Sequence, residues 1–330
     1  MKFSSDDLLT LTTPDGGRFA VRSLQESQRF CRRLAHEHYE NFPVGSVLIP
    51  RMLHDHFYSI YAFSRLADDI ADELPTHQSE EKFAALEALE HLLLHPETVV
   101  SNPIFQALHY TIEQKFIPTL PFQKLLTAFR MDSDFQRAAT YQDLEYYCAH
   151  SANPVGELVL RLFDLYTPER APLSDAVCTG LQLANFWQDF SRDLPIGRVF
   201  IPEEVLVQCG LEASELLGLY TADRKRMNEQ ALILVKERFF QCFTLLFHKT
   251  KSYFAQGKAL LPSIPYKRLR AELALTIAGG ERILEQSYKS QDTILCQRVR
   301  LSKRDIPALL AQSVRYYCGS LTALLLIFCC

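Results

Sequence analysis

The sequence predicts an all-α protein, a single bundle of long amphipathic helices. Apolar residues recur at helical spacing from about Leu24 onward, whereas the alternation typical of half-buried strands is almost absent. Prolines and glycines interrupt this periodicity where helices are expected to end. No linker-like stretch divides the chain, so residues 24–330 are predicted to form one helical domain behind an N-terminal extension, residues 1–23.

The individual helices follow in chain order from the apolar periodicity and its breaks. The breaks coincide with Pro43/Gly45, Pro75, Pro96, Pro118/Pro121, Pro195/Gly197, Pro202, Gly257/Pro262 and Gly279/Gly280. The predicted helices are Leu24–Glu40, His54–Glu73, Glu80–Leu94, Pro103–Phe116, Pro121–Asp134, Tyr141–His150 running into Pro154–Tyr166, Ser174–Asp193, Ala222–Ala255, Pro265–Gln286 and a last segment from about Pro307.

Two pairs of aspartates, each spaced four residues apart, carry the chemistry. Asp68 and Asp72 lie in the run YAFSRLADDIAD, and Asp189 and Asp193 lie in the run LANFWQDFSRD. On a helix, residues four apart project from one face, so each pair places two carboxylates side by side. Crowded carboxylates among apolar neighbours need a compensating cation. Because no boundary separates the two helices, the pairs are predicted to face each other across one cavity.

Polar residues upstream extend each pair into a stripe. Tyr61 and Arg65 precede the first pair, and Gln182 and Asn185 precede the second. Mg²⁺ prefers one or two carboxylates together with water and substrate phosphate oxygens, so the stripes predict Mg²⁺ sites that bind a diphosphate. A simpler alternative for Arg65 is an ordinary salt bridge with Asp69.

The predicted chemistry is ionisation of an allylic diphosphate. Metal ions would neutralise the leaving group together with Arg65 and Arg198. The carbocation left behind must be kept from water, and aromatic faces stabilise it. Phe57, Tyr61 and Tyr147 are the aromatic candidates, since they lie on or near the segments that carry the motifs.

Composition excludes several other functions. The net charge is −4 without a long basic run, which argues against nucleic acid as a partner. The nine cysteines show no CxxC spacing, which suits a reducing cytosol. The N-terminus lacks the pattern of a signal peptide. The apolar run Leu321–Cys330 is too short to span a bilayer, so it is either the end of a packed helix or a membrane-surface contact.

With these motifs in order, the chain resembles the squalene/phytoene synthases, which join two prenyl diphosphates head to head. The resemblance runs from about Gln25 to about Leu284 and implies an isoprenoid synthase-type helical bundle with a central cavity. It implies that the four aspartates bind metal and that the segments around Ser46, Arg51 and Arg198 bind substrate. The residues that match family motifs are Ser46, Arg51, Tyr61, Arg65, Asp68, Asp72, Tyr147, Gln182, Asn185, Asp189, Asp193 and Arg198.

Within that family the chain is most similar to the branch of the bacterial hopanoid pathway. That resemblance implies conversion of presqualene diphosphate to hydroxysqualene by ionisation and water capture, with Mg²⁺ and without NADPH. The run SANPVG departs from the family pattern at Asn153 and Pro154. Asn153 is therefore predicted either to position water or simply to cap the helix beginning at Pro154.

Alternative functions remain open at this stage. The same motifs suit head-to-head condensation of two prenyl diphosphates to presqualene diphosphate, squalene or a phytoene-type product. A catalytically silent helical binding protein is a further alternative, although it would be expected to lose motif carboxylates. The resemblance also implies a cytoplasmic protein, functional coupling to other squalene-pathway enzymes, and contact with the inner face of the membrane for release of an insoluble product.

Overall fold

The computed structural model describes residues 3–37, 49–74, 79–221, 228–291 and 293–318, which form helices joined by turns and loops, with no strand among them. The predicted all-α class is confirmed. The helices are α1 Ser5–Leu11, α2 Leu24–Glu37, α3 His54–Glu73, α4 Ser79–Leu94, α5 Pro103–Lys115, α6 Leu120–Ser133, α7 Tyr141–Ser151, α8 Asn153–Leu162, α9 Ala171–Gln188, α10 Phe190–Asp193, α11 Glu203–Gln208, α12 Ala213–Gly218, α13 Glu229–Gly257, α14 Lys267–Lys289 and α15 Ile306–Cys318.

Three short helices were not predicted from the periodicity. Helices α11 and α12 are each too short to show a helical repeat, and α12 begins at a capping box between Glu212 and Glu215. Helix α1 falls in the predicted N-terminal extension, where Ser4 caps the backbone of Asp7 and Leu8 is fully buried. The signal for α1 was its capping box, in which an N-cap serine and an acidic residue three positions later satisfy each other's backbone amides.

The chain forms two compact units, and the first consists of Met1–Phe135 with Pro154–Thr167. Helix α3 packs there against α1, α2, α5 and α6. Its fully buried residues include Phe63, Leu66 and Ile70. Because these apolar residues fix one side of α3 in the core, the carboxylates of Asp68 and Asp72 are left on its more accessible side.

The second unit consists of Gln136–Asn153 and Pro168–Cys330. Helix α9 lies against α7, α13 and α14. Trp187, near the end of α9, is fully buried, and its indole N–H donates a 2.8 Å hydrogen bond to Oγ1 of Thr250 on α13. This buried anchor fixes the end of α9, immediately before Asp189.

Close approach of α9 and α13 depends on Gly257. A Cβ atom placed at Gly257 would lie 2.9 Å from the backbone nitrogen of Val177, a contact that neither chain segment can relieve by side-chain movement. Gly279 on α14 provides the contrast, because a Cβ atom there meets nothing within 4 Å.

We expect Gly257→Ala to lower the free energy of unfolding by about 1–3 kcal/mol through overpacking. The matched change Gly279→Ala should instead raise it by up to about 1 kcal/mol, since alanine favours the helix and no neighbour is displaced. Urea denaturation of both variants measures the difference. If Gly257→Ala were as stable as the parent, the close contact between α9 and α13 would not require glycine at this position.

Candidate active site

The first carboxylate pair and its upstream stripe lie on α3 as predicted. The Asp68 side chain is 44% exposed, whereas that of Asp69 is 6% exposed. Arg65 links them: its Nη1 lies 3.4 Å from Oδ2 of Asp68, and its Nη2 forms an ion pair and hydrogen bond with Oδ1 of Asp69. The simpler alternative for Arg65, a salt bridge to Asp69, is therefore present together with the contact to Asp68. Asp72, one turn further on, is exposed.

The charges around Asp68 are poorly balanced. Burial, followed by the repulsion from Asp72, raises the pKa of Asp68 from 3.8 to about 6. Asp69 and Asp132 act in the same direction, and Arg65 opposes them. One arginine thus faces several carboxylates, so this side of α3 attracts a cation. Asp132 on α6 was not found from sequence, because only the packing of α6 against α3 brings it near.

The second pair departs from the predicted continuous helix Ser174–Asp193. Helix α9 ends at Gln188, Asp189 has φ −98° and ψ 10°, and α10 begins at Phe190. The backbone N–H of Asp193 nevertheless donates to the carbonyl of Asp189 at 3.0 Å, so the two aspartates are still one helical turn apart. The buried ring of Phe190 packs edge-on against Phe239 and Phe243, which holds the chain through this break.

Asp193 resembles Asp68 in its electrostatics. Burial, followed by the repulsion from Asp189, raises the pKa of Asp193 from 3.8 to about 6, against the opposing charges of Arg198, Arg192 and Arg298. The backbone N–H of Arg198 donates to the Asp193 carbonyl at 2.9 Å, after a turn at Gly197 with φ 82°. That positive φ suits glycine and returns the chain so that Arg198 lies beside the pair.

Sequence reasoning missed Arg298. Its Nε forms an ion pair with Oδ1 of Asp189, and its Nη2 donates to Oδ2 of Asp189 at 3.1 Å. The Asp189 side chain is only 15% exposed, so this two-point contact supplies the cation that its carboxylate needs. No local pattern could have revealed a partner so distant in the chain.

Gln182, Asn185 and Tyr147, also predicted as site residues in the second unit, differ in exposure and surroundings. Gln182 is half-buried on α9, whereas Asn185 is exposed. The Tyr147 ring lies 5.8 Å from the ring of Phe186 and 6.3 Å from that of Phe200, so it belongs to an aromatic cluster beside α9. Phe186 and Phe200 stack at 4.0 Å. The role of Tyr147 beside the carbocation stays a prediction.

Asn153 is the first residue of α8. Its Oδ1 accepts a 3.0 Å hydrogen bond from Oγ1 of Thr179 on α9. That contact gives the Asn153 side chain a partner that neither predicted role, water positioning or helix capping, had included. The role in water positioning stays a prediction.

Four other predicted residues belong to the N-terminal part of the chain. Phe57 and Tyr61 are half-buried on α3. Arg51 is exposed on the 3₁₀ turn Arg51–Leu53 that leads into α3. Ser46 lies outside the described residues. The apolar run Leu321–Cys330 lies outside them too.

The donor set of both pairs fits a hard divalent cation. Asp68 and Asp193 both have raised pKa values, first because of burial and then because the other aspartate of the pair repels the charged carboxylate. Within the described ranges, no three His, Cys, Asp or Glu side chains converge into a ready metal cage. Such an incomplete oxygen shell is what Mg²⁺ accepts when water and phosphate supply the remaining ligands.

The raised pKa of Asp68 predicts a pH-dependent stability of the metal-free protein. A carboxyl whose pKa rises from 3.8 to about 6 on folding stabilises the folded state at acid pH and loses that contribution as pH rises through about 6. For Asp68 the loss is about 1 kcal/mol after allowance for solvent screening.

We therefore expect Asp68→Asn to flatten the fall in melting temperature between acid and neutral pH, measured by calorimetry in the presence of a chelator. The matched control is Glu73→Gln, which removes an exposed charge from the same helix. An unchanged pH slope in Asp68→Asn would contradict this prediction.

Comparison with known proteins decides the family. The family model for squalene/phytoene synthase matches residues 35–305. The chain belongs to the squalene/phytoene synthase family. It is 32% identical over 270 residues to the hydroxysqualene synthase of Sinorhizobium fredii, covering 81% of this chain and 85% of that protein. With the hydroxysqualene synthase of Rhodopseudomonas palustris it shares 33% identity over 264 residues, covering 79% and 83% of the two chains.

Solved structures agree with this family membership. The chain matches the squalene synthase HpnC of Alicyclobacillus acidocaldarius with a TM-score of 0.71 and 37% identity, covering 82% of this chain and 95% of that one. The family consists of enzymes, and the motif aspartates Asp68, Asp72, Asp189 and Asp193 are all present here. The expected isoprenoid synthase-type fold is thereby confirmed.

Two further features lie apart from the carboxylate pairs. A surface pocket of about 530 Å³ is lined by residues of α11, α12 and their surroundings, among them Arg137 and Glu203, and by none of the four aspartates. Among the described helices, none combines the length and apolar character needed to cross a membrane.

Proposed function

We propose that this squalene/phytoene synthase family member converts presqualene diphosphate to hydroxysqualene. The observation that carries the proposal is that both carboxylate pairs are intact and each lies against an arginine, Arg65 or Arg298, in a chain 32% identical to a hydroxysqualene synthase. The 33% identity with the protein of the same name from R. palustris adds support.

In this proposal Asp68 and Asp72 would hold Mg²⁺, and Asp189 and Asp193 would do the same. The bound metal supplies Lewis-acid stabilisation of the departing diphosphate. Arg65, Arg198 and Arg298 add positive charge, which stabilises the diphosphate as its negative charge develops.

Product formation proceeds through ionisation, rearrangement of the cation and capture of water. The C–O bond of presqualene diphosphate breaks with both electrons leaving on diphosphate, and the resulting cation rearranges. Water then adds its oxygen to carbon and releases a proton to solvent, so no reductant is consumed. The aromatic cluster of Tyr147, Phe186 and Phe200 suits stabilisation of the cation, and Asn153 is the proposed residue for orienting water.

A second candidate is reduction to squalene, because the solved structure that is 37% identical carries the name squalene synthase. It differs from the first at one step, where hydride from NADPH replaces water. Formation of presqualene diphosphate is a third candidate with weaker support, since the presqualene diphosphate synthase of R. palustris is 27% identical over 53% of this chain.

The experiment incubates purified protein with presqualene diphosphate and Mg²⁺, with and without NADPH, and identifies products by mass spectrometry. Hydroxysqualene in both reactions supports the proposal. Squalene formed only with NADPH would replace it with the second candidate. No reaction with presqualene diphosphate, together with its formation in a parallel incubation with farnesyl diphosphate, would favour the third. Oxygen from ¹⁸O-labelled water should appear in the hydroxysqualene.

We also infer that product leaves at a membrane surface and passes to other enzymes of the squalene pathway. Both C₃₀ products are apolar, and α15 exposes Ile306, Leu310 and Val314 at a spacing of four residues along one face. The apolar run Leu321–Cys330 follows in sequence. Sedimentation with liposomes, compared between the full chain and a variant with Leu310→Lys and Val314→Lys, tests this inference, and equal sedimentation would contradict it.

A further inference from the structure

The segment after α14 carries Arg298 to the second carboxylate pair. Arg298 contacts both oxygens of Asp189, as described above, through Nε and through Nη2 at 3.1 Å. Asp189 is also one of the proposed metal ligands. The guanidinium covers part of the Asp189 carboxylate and repels a divalent cation, so its contact in the metal-free protein opposes metal binding there.

Several contacts hold this segment in place, and two of them lie after Arg298 in the chain. Nε2 of Gln188 donates a 2.7 Å hydrogen bond to the carbonyl of Val299, the residue after Arg298. Further along, Oδ1 of Asp305 accepts a 3.0 Å hydrogen bond from Nη2 of Arg282 on α14. The bond from Gln188 is the nearer of the two to Arg298 in the chain. It joins the residue before Asp189 to the residue after Arg298.

This pairing of neighbours fixes the arginine against the carboxylate. Gln188 and Asp189 are adjacent at the end of α9. The side-chain amide of Gln188 donates to the backbone carbonyl of Val299, which is adjacent to Arg298. Loss of the amide donor would leave the Val299 carbonyl without this bond and let Arg298 move away from Asp189, while the anchor at Asp305 remains.

We propose that Gln188 is a positioning residue that holds Arg298 on Asp189, where Arg298 acts as a resident counter-ion that weakens metal binding. The inference rests on the proposed metal site at Asp189 and Asp193. It deepens that proposal by stating what sets metal affinity there: the arginine neutralises the buried carboxylate when metal is absent and competes with metal when it is present.

The test measures Mn²⁺ binding to the full chain without substrate, from the electron paramagnetic resonance signal of the free ion. Arg298→Gln removes the competing charge, and Gln188→Met keeps a similar shape without the donor. Both should bind Mn²⁺ about tenfold more tightly, the factor that corresponds to about 1.4 kcal/mol. The matched control is Arg300→Gln, an exposed arginine of the same segment, which should change affinity little.

Two combinations separate a positioning role from a merely structural one. The double variant of Gln188→Met and Arg298→Gln should bind no more tightly than Arg298→Gln alone, because Gln188 acts through the arginine. In an Asp189→Asn background, Arg298→Gln should have no effect on Mn²⁺ affinity. Metal-free Arg298→Gln should also melt several degrees lower, since Asp189 then lacks its partner, and added Mn²⁺ should reverse the loss.

Several outcomes would overturn the proposal. Unchanged or weaker Mn²⁺ binding by Arg298→Gln, including no detectable binding by either protein, removes the counter-ion role. A Gln188→Met variant that loses melting temperature but binds Mn²⁺ like the parent, or effects that simply add in the double variant, removes the positioning role. Because no substrate is present, failure of the hydroxysqualene assay alongside tighter Mn²⁺ binding would contradict the proposed reaction only.

Discussion

Asp68→Asn and Asp189→Asn should each lower kcat for diphosphate release about 10³-fold, which corresponds to about 4 kcal/mol of lost transition-state stabilisation. Each change keeps the size of the side chain but removes a negative charge that the proposed metal requires. Release of diphosphate from presqualene diphosphate, followed with a coupled phosphate assay, measures the loss.

The control for charge is Glu73→Gln, which removes an exposed carboxylate next to Asp72 and should leave kcat within about twofold. The double variant Asp68→Asn with Asp189→Asn provides a sharper test. If both pairs act on the same diphosphate, the double variant should lose far less than the product of the two single losses. Full turnover by either single variant would remove that carboxylate from the mechanism and favour a silent binding protein.

Withdrawal of divalent metal should abolish product formation. Treatment with EDTA should reduce turnover at least about 10³-fold, because the departing diphosphate then lacks its Lewis acid. Added MgCl₂ should restore the activity, and Mg²⁺-saturated EDTA serves as the control for nonspecific effects of the chelator. Mass spectrometry of the product, with and without chelator, measures the result.

The Mg²⁺ requirement for activity should depend on pH. Metal binding requires charged carboxylates, and the pKa values of Asp68 and Asp193 are raised to about 6 in the metal-free protein. The Mg²⁺ concentration needed for half-maximal activity should therefore increase as pH falls below about 6. Turnover that continues unchanged in EDTA would contradict the metal requirement directly.

Much of the first carboxylate pair was predictable from sequence because its determinants are local. Helix α3 begins and ends at the predicted residues, His54 and Glu73. Once a helix is known, Tyr61, Arg65 and Asp68 must share a stripe, since the spacing of residues along a helix fixes the face from which each projects. The four-residue spacing likewise placed Asp72 beside Asp68.

The second pair was predicted less completely. The break at Asp189 carries no proline or glycine, and it follows from where Phe190 packs rather than from local propensity. The short helices α11 and α12 were not predicted either, because a helix of six residues contains too few turns to show periodicity.

By itself the sequence determined the all-α class, the presence of two carboxylate pairs and the resemblance to a diphosphate-ionising family, because each depends on residues close together in the chain. Only the tertiary structure decided which cation accompanies each carboxylate. Arg298 lies more than a hundred positions beyond Asp189, and Asp132 reaches Asp68 only because α6 packs against α3. Burial and charge act through space, so the pKa values of Asp68 and Asp193 and the hold of Gln188 on Val299 follow from packing.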